Sequence, residues 1–171
     1  MDIFAELADK YGDSVYRFCR TLAYSKEDAD DLFQETFLKA LEQPHKIDGA
    51  ENPQNFLFTT ALYIWKSWKR KYARRSRIAP VEALDESQET SESSPGAEDE
   101  YMERDLLITV RELVGALPEK LRVPVVMYYN AEMDVQKIAE ALKIPAGTVK
   151  SRLYNARKII EKGLINLEKQ Q

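Results

Sequence analysis

The 171 residues hold one histidine and one cysteine, with no glycine-rich phosphate loop and no cluster of metal-ligating side chains. No catalytic constellation can be assembled from them, so neither enzymatic activity nor a cofactor or metal is expected. His45 has no second ligand near it in sequence and reads as an exposed loop residue. Cys19 sits in an apolar-rich helix and reads as packing; a single cysteine forms no internal disulfide and fits a reducing cytosol. The chemistry that remains is recognition of polyanions. The stretch "IPAGTVKSRLYNARK" (144–158) carries Lys150, Arg152, Arg157 and Lys158 and no acid, although the whole chain has a formal charge of -4. Residues 64–78 carry seven Lys or Arg and no acid, whereas 79–105 carry ten Asp or Glu against Arg104 alone. Two basic patches separated by an acidic strap are electrostatic footprints for nucleic acid.

Which side of a helix those cations occupy decides what they can do. Helical residues advance by about 100° each. On that wheel Val149, Leu153, Ala156 and Ile160 form one stripe, the side expected to be buried. Opposite them lie Gly147, Thr148, Ser151, Tyr154, Asn155 and Lys158, with Lys150, Arg152 and Arg157 on the flanks. The outward centre is therefore small and hydrogen-bonding while its borders are cationic. A merely solvated face mixes acids among its bases to gain i,i+4 pairs, and none occurs before Glu161. The pattern suits a helix in a major groove, with Thr, Ser, Asn and Lys at base edges and flanking cations on phosphates.

The rest of the chain must position these residues. The apolar fraction of 44% and charged fraction of 32% suit a globular protein, and no apolar run approaches the ~18 residues that cross a bilayer. The acidic, amphipathic start "MDIFAELADKYG" does not read as a signal peptide. "PVEALDESQETSESSPGAEDE" (80–100) is too poor in apolar residues to offset its ordering entropy, which predicts a flexible linker. The expected division is a helical domain over 1–78, an acidic linker over 79–105 and a second helical domain over 106–171. Neither domain has alternating strand patterns, so the fold class is all-α.

In the first domain, Phe4, Leu7, Tyr11, Val15, Phe18 and Leu22 recur at spacings of three and four and predict an amphipathic helix. Ser25 followed by Asp28 predicts the cap of a second helix, with a core stripe of Ala29, Phe33, Thr36 and Ala40. Asn52 before Pro53 predicts the start of a third, with a stripe of Leu57, Ala61, Ile64, Trp65, Trp68 and Tyr72. "QPHKIDGAEN" is read as the loop between them. Opposite the second helix's stripe lie Asp31, Gln34, Glu35 and Leu38, with Phe37 at the edge. An anionic face bearing an exposed apolar knob predicts docking to a protein rather than to DNA. The third helix sets Tyr63, Trp65, Trp68 and Tyr72 beside Lys66, Lys69, Arg70, Lys71, Arg74 and Arg75. Rings beside a cationic track suit single-stranded nucleic acid, whose unstacked bases lie on aromatic faces. In the second domain Pro118 opens a helix that Pro124 should bend. A short helix capped by Asp134, the turn "KIP" and the basic helix then make a helix-turn-helix candidate.

"SKEDADDLFQETFLKAL" followed by "FLFTTALYIWKSWKRKYARR" resembles the second conserved region of bacterial sigma factors. "LPEKLRVPVVMYYNAEMDVQKIAEALKIPAGTVKSRLYNARKIIEKGL" resembles their fourth. With these two regions and a short linker, the chain resembles an extracytoplasmic-function (ECF) sigma factor over about 140 residues. The resemblance implies a promoter-specificity subunit that binds core RNA polymerase, recognises the −35 and −10 elements and helps to open DNA. It implies that Asp31, Gln34 and Glu35, with Leu38, grip the clamp coiled coil of the β′ subunit, and that the β flap is a further polymerase partner. Lys39, Gln43, Ile47 and Tyr63 match positions that line a pocket for an extruded −10 base, with "PHKIDG" as the specificity loop. Lys66, Lys69, Arg70, Arg74 and Arg75 would follow the phosphates. Lys150, Ser151, Tyr154 and Asn155 match DNA-facing positions at −35, Arg152 and Arg157 match basic anchors, and Thr148 and Lys158 share that face. The family also implies an anti-sigma factor, a cytoplasmic location and no direct membrane insertion. The chain departs from many relatives at Tyr63, where they carry Asn, at Ser67, where they carry Asp, and at Asn155, where they carry Arg. The competing reading is a free-standing helix-turn-helix regulator of duplex DNA, which explains 106–171 but leaves the tryptophan-rich basic helix and Leu38 without a role.

Overall fold

The computed structural model describes residues 2–78 and 101–170. They form helices only, in two compact units, one holding α1–α4 and the other α5–α8. Most of the expected linker, 79–100, lies outside the described residues. Its last five residues do not extend a linker: α5 begins at Tyr101.

The first unit comprises α1 (Ile3–Leu22), α2 (Lys26–Leu41), the short α3 (Pro44–Asp48) and α4 (Pro53–Ile78). Its boundaries follow local chemistry. The Ser25 side chain accepts from the Asp28 N–H at 3.1 Å, and the Asn52 side chain accepts from the Gln54 N–H at 3.0 Å ahead of Pro53. Val15, Phe18, Cys19 and Leu22 of α1 meet Ala29, Leu32, Thr36, Phe37 and Ala40 of α2 and Leu57, Phe58, Ala61, Leu62, Ile64 and Trp65 of α4 in one core. Phe18 and Phe58 stack face to face, 4.3 Å between centroids. Thr36, the buried polar residue of this core, is satisfied by donating to the Leu32 carbonyl. Across the edge of the bundle, the Tyr16 hydroxyl donates to Asp30 at 2.7 Å. That bond, burial and the carboxylate's charge push the Tyr16 pKa up, so the group stays a donor.

The packed structure departs from the sequence pattern at three points. Phe37 is not at the edge of the α2 polar face but buried, 1% exposed, with its ring against Phe33 and Phe4. Tyr72, placed on the α4 core stripe, is 59% exposed, because a helical wheel does not say how far along a helix its neighbours reach. "PHKIDG" is not a plain loop: Pro44 at the first position starts α3, which packs on both α2 and α4.

The second unit comprises α5 (Tyr101–Gly115), α6 (Glu119–Tyr129), α7 (Val135–Leu142) and α8 (Ala146–Lys169). α6 continues through the buried Pro124. Arg122 donates to the Gly115 and Leu117 carbonyls where α5 ends, supplying partners that helix termini lack. The Asp134 side chain accepts from the Lys137 N–H at 2.8 Å and caps α7. Lys143 then takes a left-handed conformation, φ 56°, which reverses the chain through Ile144 and Pro145 into α8. At 24 residues, α8 is about 36 Å long. Gly163 lets Leu113 of α5 approach so closely that a Cβ there would lie 2.6 Å from its Cδ2.

Candidate functional site

α8 is held by Val149, Leu153 and Ala156, which are 0%, 2% and 0% exposed against α6 and α7. Ile160, expected to extend that stripe, is only partly buried. Their burial turns Gly147, Lys150, Ser151, Tyr154, Asn155, Arg157 and Lys158 outward, all exposed, with Thr148 and Arg152 partly exposed. The face is ordered from within. Ser151 donates its hydroxyl to the Thr148 carbonyl at 3.1 Å, which leaves its oxygen lone pairs for a donor on a ligand. The Lys158 ammonium sits 4.8 Å from the centroid of the Tyr154 ring, one turn back. Arg157 donates from Nε to the Tyr129 hydroxyl at 2.7 Å. Charge and periodicity gave no reason to select Tyr128 or Tyr129; the one signal was an adjacent tyrosine pair where α6 ends.

The α2 face carries Asp31, Gln34 and Leu38 exposed and Glu35 partly exposed. Leu38 is 62% exposed, so its apolar surface has no cover within the described residues. The core contributed by Ala29, Leu32, Thr36 and Ala40 fixes this orientation. Lys39 extends beside it, 3.7 Å from Glu42.

Toward α4, Gln43 precedes α3 and is partly exposed, and Tyr63 is 64% exposed on the side away from the core. Ile47 is different. It is 6% exposed, the one buried residue of α3, and it anchors that turn rather than offering its side chain to a base. Arg70, Lys71, Arg74 and Arg75 are exposed along α4, with Lys66 and Lys69 partly exposed. Trp65 is buried at 4%, with Trp68 partly exposed beside it at 6.1 Å between ring centroids. Tyr24, 64% exposed, packs edge-on to Trp65 at 5.2 Å. No group of side chains able to hold a metal occurs among the described residues. No helix among them is long and apolar enough to cross a membrane.

Comparison with known proteins gives this geometry a family. Residues 7–75 match Sigma-70 region 2, and residues 107–160 match Sigma-70 region 4. The sigma factor HrpL of Pseudomonas syringae is 31% identical over 143 residues, covering 82% of this chain and 75% of HrpL. The chain belongs to the extracytoplasmic-function sigma factors. The ECF sigma factor SigW of Bacillus subtilis is 29% identical over 170 residues, 97% of this chain and 91% of SigW. The fold is shared with the sigma factor RpoE of Bartonella quintana, solved in complex with the anti-sigma factor NepR, at a TM-score of 0.75 and 21% identity over 94% of this chain and 96% of RpoE. This sigma factor is thus a promoter-specificity subunit of RNA polymerase and not an enzyme in its own right. The region 2 match accounts for the α1–α4 unit, which a free-standing helix-turn-helix regulator does not require.

Proposed function

We propose that α8 reads the −35 element, that the α3–α4 side of the first unit reads and opens the −10 element, and that the α2 face docks on core polymerase. One observation carries the reading: burial of Val149, Leu153 and Ala156 turns an acid-free, hydrogen-bonding helix face with cationic borders outward. Thr148, Lys150, Ser151, Tyr154, Asn155 and Lys158 meet bases and nearby phosphates, while Arg152 and Arg157 anchor the backbone. Asp31, Gln34, Glu35 and Leu38 engage the clamp coiled coil of β′, where burying the Leu38 side chain supplies apolar contact inside a polar rim. The β flap is the expected partner for the second unit.

At −10, Lys39, Gln43 and Tyr63 surround an extruded base, with Ile47 supporting α3 from beneath. Extruding a base costs a few kcal/mol, so a shaped, stacking pocket is needed to hold the strand open. Tyr63 offers a ring face. Lys66, Lys69, Arg70, Arg74 and Arg75 follow the phosphates of the separated strand. A sigma factor with this surface works in the cytoplasm. Membership of the family implies that an anti-sigma factor holds it inactive there by covering the polymerase-facing side; the Bartonella quintana relative was solved in complex with an anti-sigma factor.

The test is run-off transcription with core polymerase on a randomised promoter library. The expected products share one −35 and one −10 sequence and depend on this chain; transcripts without a shared −35 sequence reject the assignment of α8. Asn155→Arg installs a bidentate guanine reader in place of an adenine-competent amide. It is expected to move the preferred base at one −35 position from adenine to guanine by about 1–3 kcal/mol of discrimination. An unchanged −35 preference removes Asn155 from the base-reading set.

A further inference from the structure

Arg157 does not extend freely from α8. Its Nε donates to the Tyr129 hydroxyl oxygen at 2.7 Å. Its guanidinium carbon lies 5.8 Å from the Tyr129 ring centroid and 5.9 Å from that of Tyr128. Those two rings meet edge to face, 5.0 Å apart at 80°, so the cation sits in a corner made by two phenol faces. Core packing does not explain the arrangement, because Tyr129 is 52% exposed and Arg157 is exposed. A solvated arginine samples many rotamers, and that freedom is lost when it grips a ligand. An arginine already held at Nε loses less.

The occupied edge also selects the free one. With Nε bound to Tyr129, the two terminal nitrogens have no hydrogen-bond partner among the described residues. That edge of the planar fork is the one that takes two oxygens of a phosphate side by side. We propose that Tyr129 is a positioning residue for promoter binding: it orders Arg157 so that the outer guanidinium edge meets one phosphate of the −35 duplex. The inference rests on the assignment of α8 to the −35 element and adds to it a residue from α6, 28 positions away.

The test uses wild type, Tyr129→Phe, Arg157→Gln and the double variant, each assembled with core RNA polymerase. The probe is a fluorescent duplex carrying the −35 sequence that the wild-type holoenzyme selects from a randomised library, titrated across a potassium chloride series. Tyr129→Phe is expected to weaken binding roughly five-fold, the worth of the one hydrogen bond that orders the guanidinium. It should leave the slope of log affinity against log salt unchanged, since no charge is lost. Arg157→Gln should weaken binding further and reduce that slope by about one. The double variant should bind as Arg157→Gln does, because Tyr129 acts through Arg157. Equal losses from Tyr129→Phe in both backgrounds, or no loss in either, overturn the proposal. A lowered melting temperature for Tyr129→Phe with an unchanged affinity per folded molecule overturns it as well. If Arg157→Gln changes neither affinity nor slope, the −35 role of this flank fails together with the proposal, an outcome distinct from failure of Tyr129 alone.

Discussion

α2 and α8 lie in their respective units by the same device. Each buries one stripe of small and apolar residues at spacings of three and four, Ala29, Leu32, Thr36 and Ala40 in one and Val149, Leu153 and Ala156 in the other. Their outer faces differ in kind. α2 presents Asp31, Glu35 and the 62% exposed Leu38, whereas α8 presents cations around Ser151 and Asn155. The buried side of a helix answers to its own core, and the outer side is left for the partner. The two faces should also respond differently to salt. Displacing counterions from DNA makes affinity fall steeply as salt rises. An interface centred on a buried leucine depends mainly on apolar area, which salt does not screen.

The largest difference between the two faces is expected in polymerase binding. Asp31→Ala combined with Leu38→Ala is expected to weaken core polymerase affinity about a hundred-fold or more, as loss of a central anchor and its charged neighbour does. Both side chains are exposed, so thermal melting should be unchanged. Core affinity equal to wild type would remove α2 from the docking surface.

A second variant is expected to damage one unit alone. Gly163→Val places a branched side chain where even a Cβ would sit 2.6 Å from Leu113 Cδ2. The Leu113 side chain must swing out of its seat against α8, which is expected to destabilise the α5–α8 unit by about 1–2 kcal/mol. Hydrogen exchange should accelerate in that unit while amides of α1–α4 keep their protection. Uniform loss of protection throughout the chain would show that the units do not unfold separately.

The smallest effect is in the core under α2. Burial pushes the Cys19 thiol up from 9.0 to about 12, partly offset by its hydrogen bond with Thr36. An unfolded thiol ionises near its ordinary value, so the stabilising difference is complete below about pH 9 and is lost as pH rises toward 12. At about pH 10 wild type should have lost roughly 1 kcal/mol relative to Cys19→Ala. Urea unfolding of both proteins from neutral to alkaline pH measures it. Parallel pH profiles would place the thiol within reach of solvent.

Several features were legible because they depend on neighbours in sequence. Ser25, Asn52 and Asp134 accept the backbone N–H groups that their positions before helices predict. The outward face of α8 and the exposure of Leu38 and Tyr63 followed from angular position alone. The failures occurred where a third body intervened. Phe37 appeared to lie at the edge of the polar face, but Phe33 of its own helix and Phe4 of α1 enclose it. Ile47 matched a pocket position, yet α3 needs it as an anchor between α2 and α4.

From the sequence alone came the all-α class, the helix starts, the angular placement of charge and the resemblance to a family; each is encoded by residues within a few turns of one another. Tertiary structure alone decided where the apolar stripes end, which aromatic rings are covered and that Tyr129 holds Arg157. Those depend on how helices distant in sequence approach, and burial and hydrogen bonding across such distances are settled only when the chain has packed.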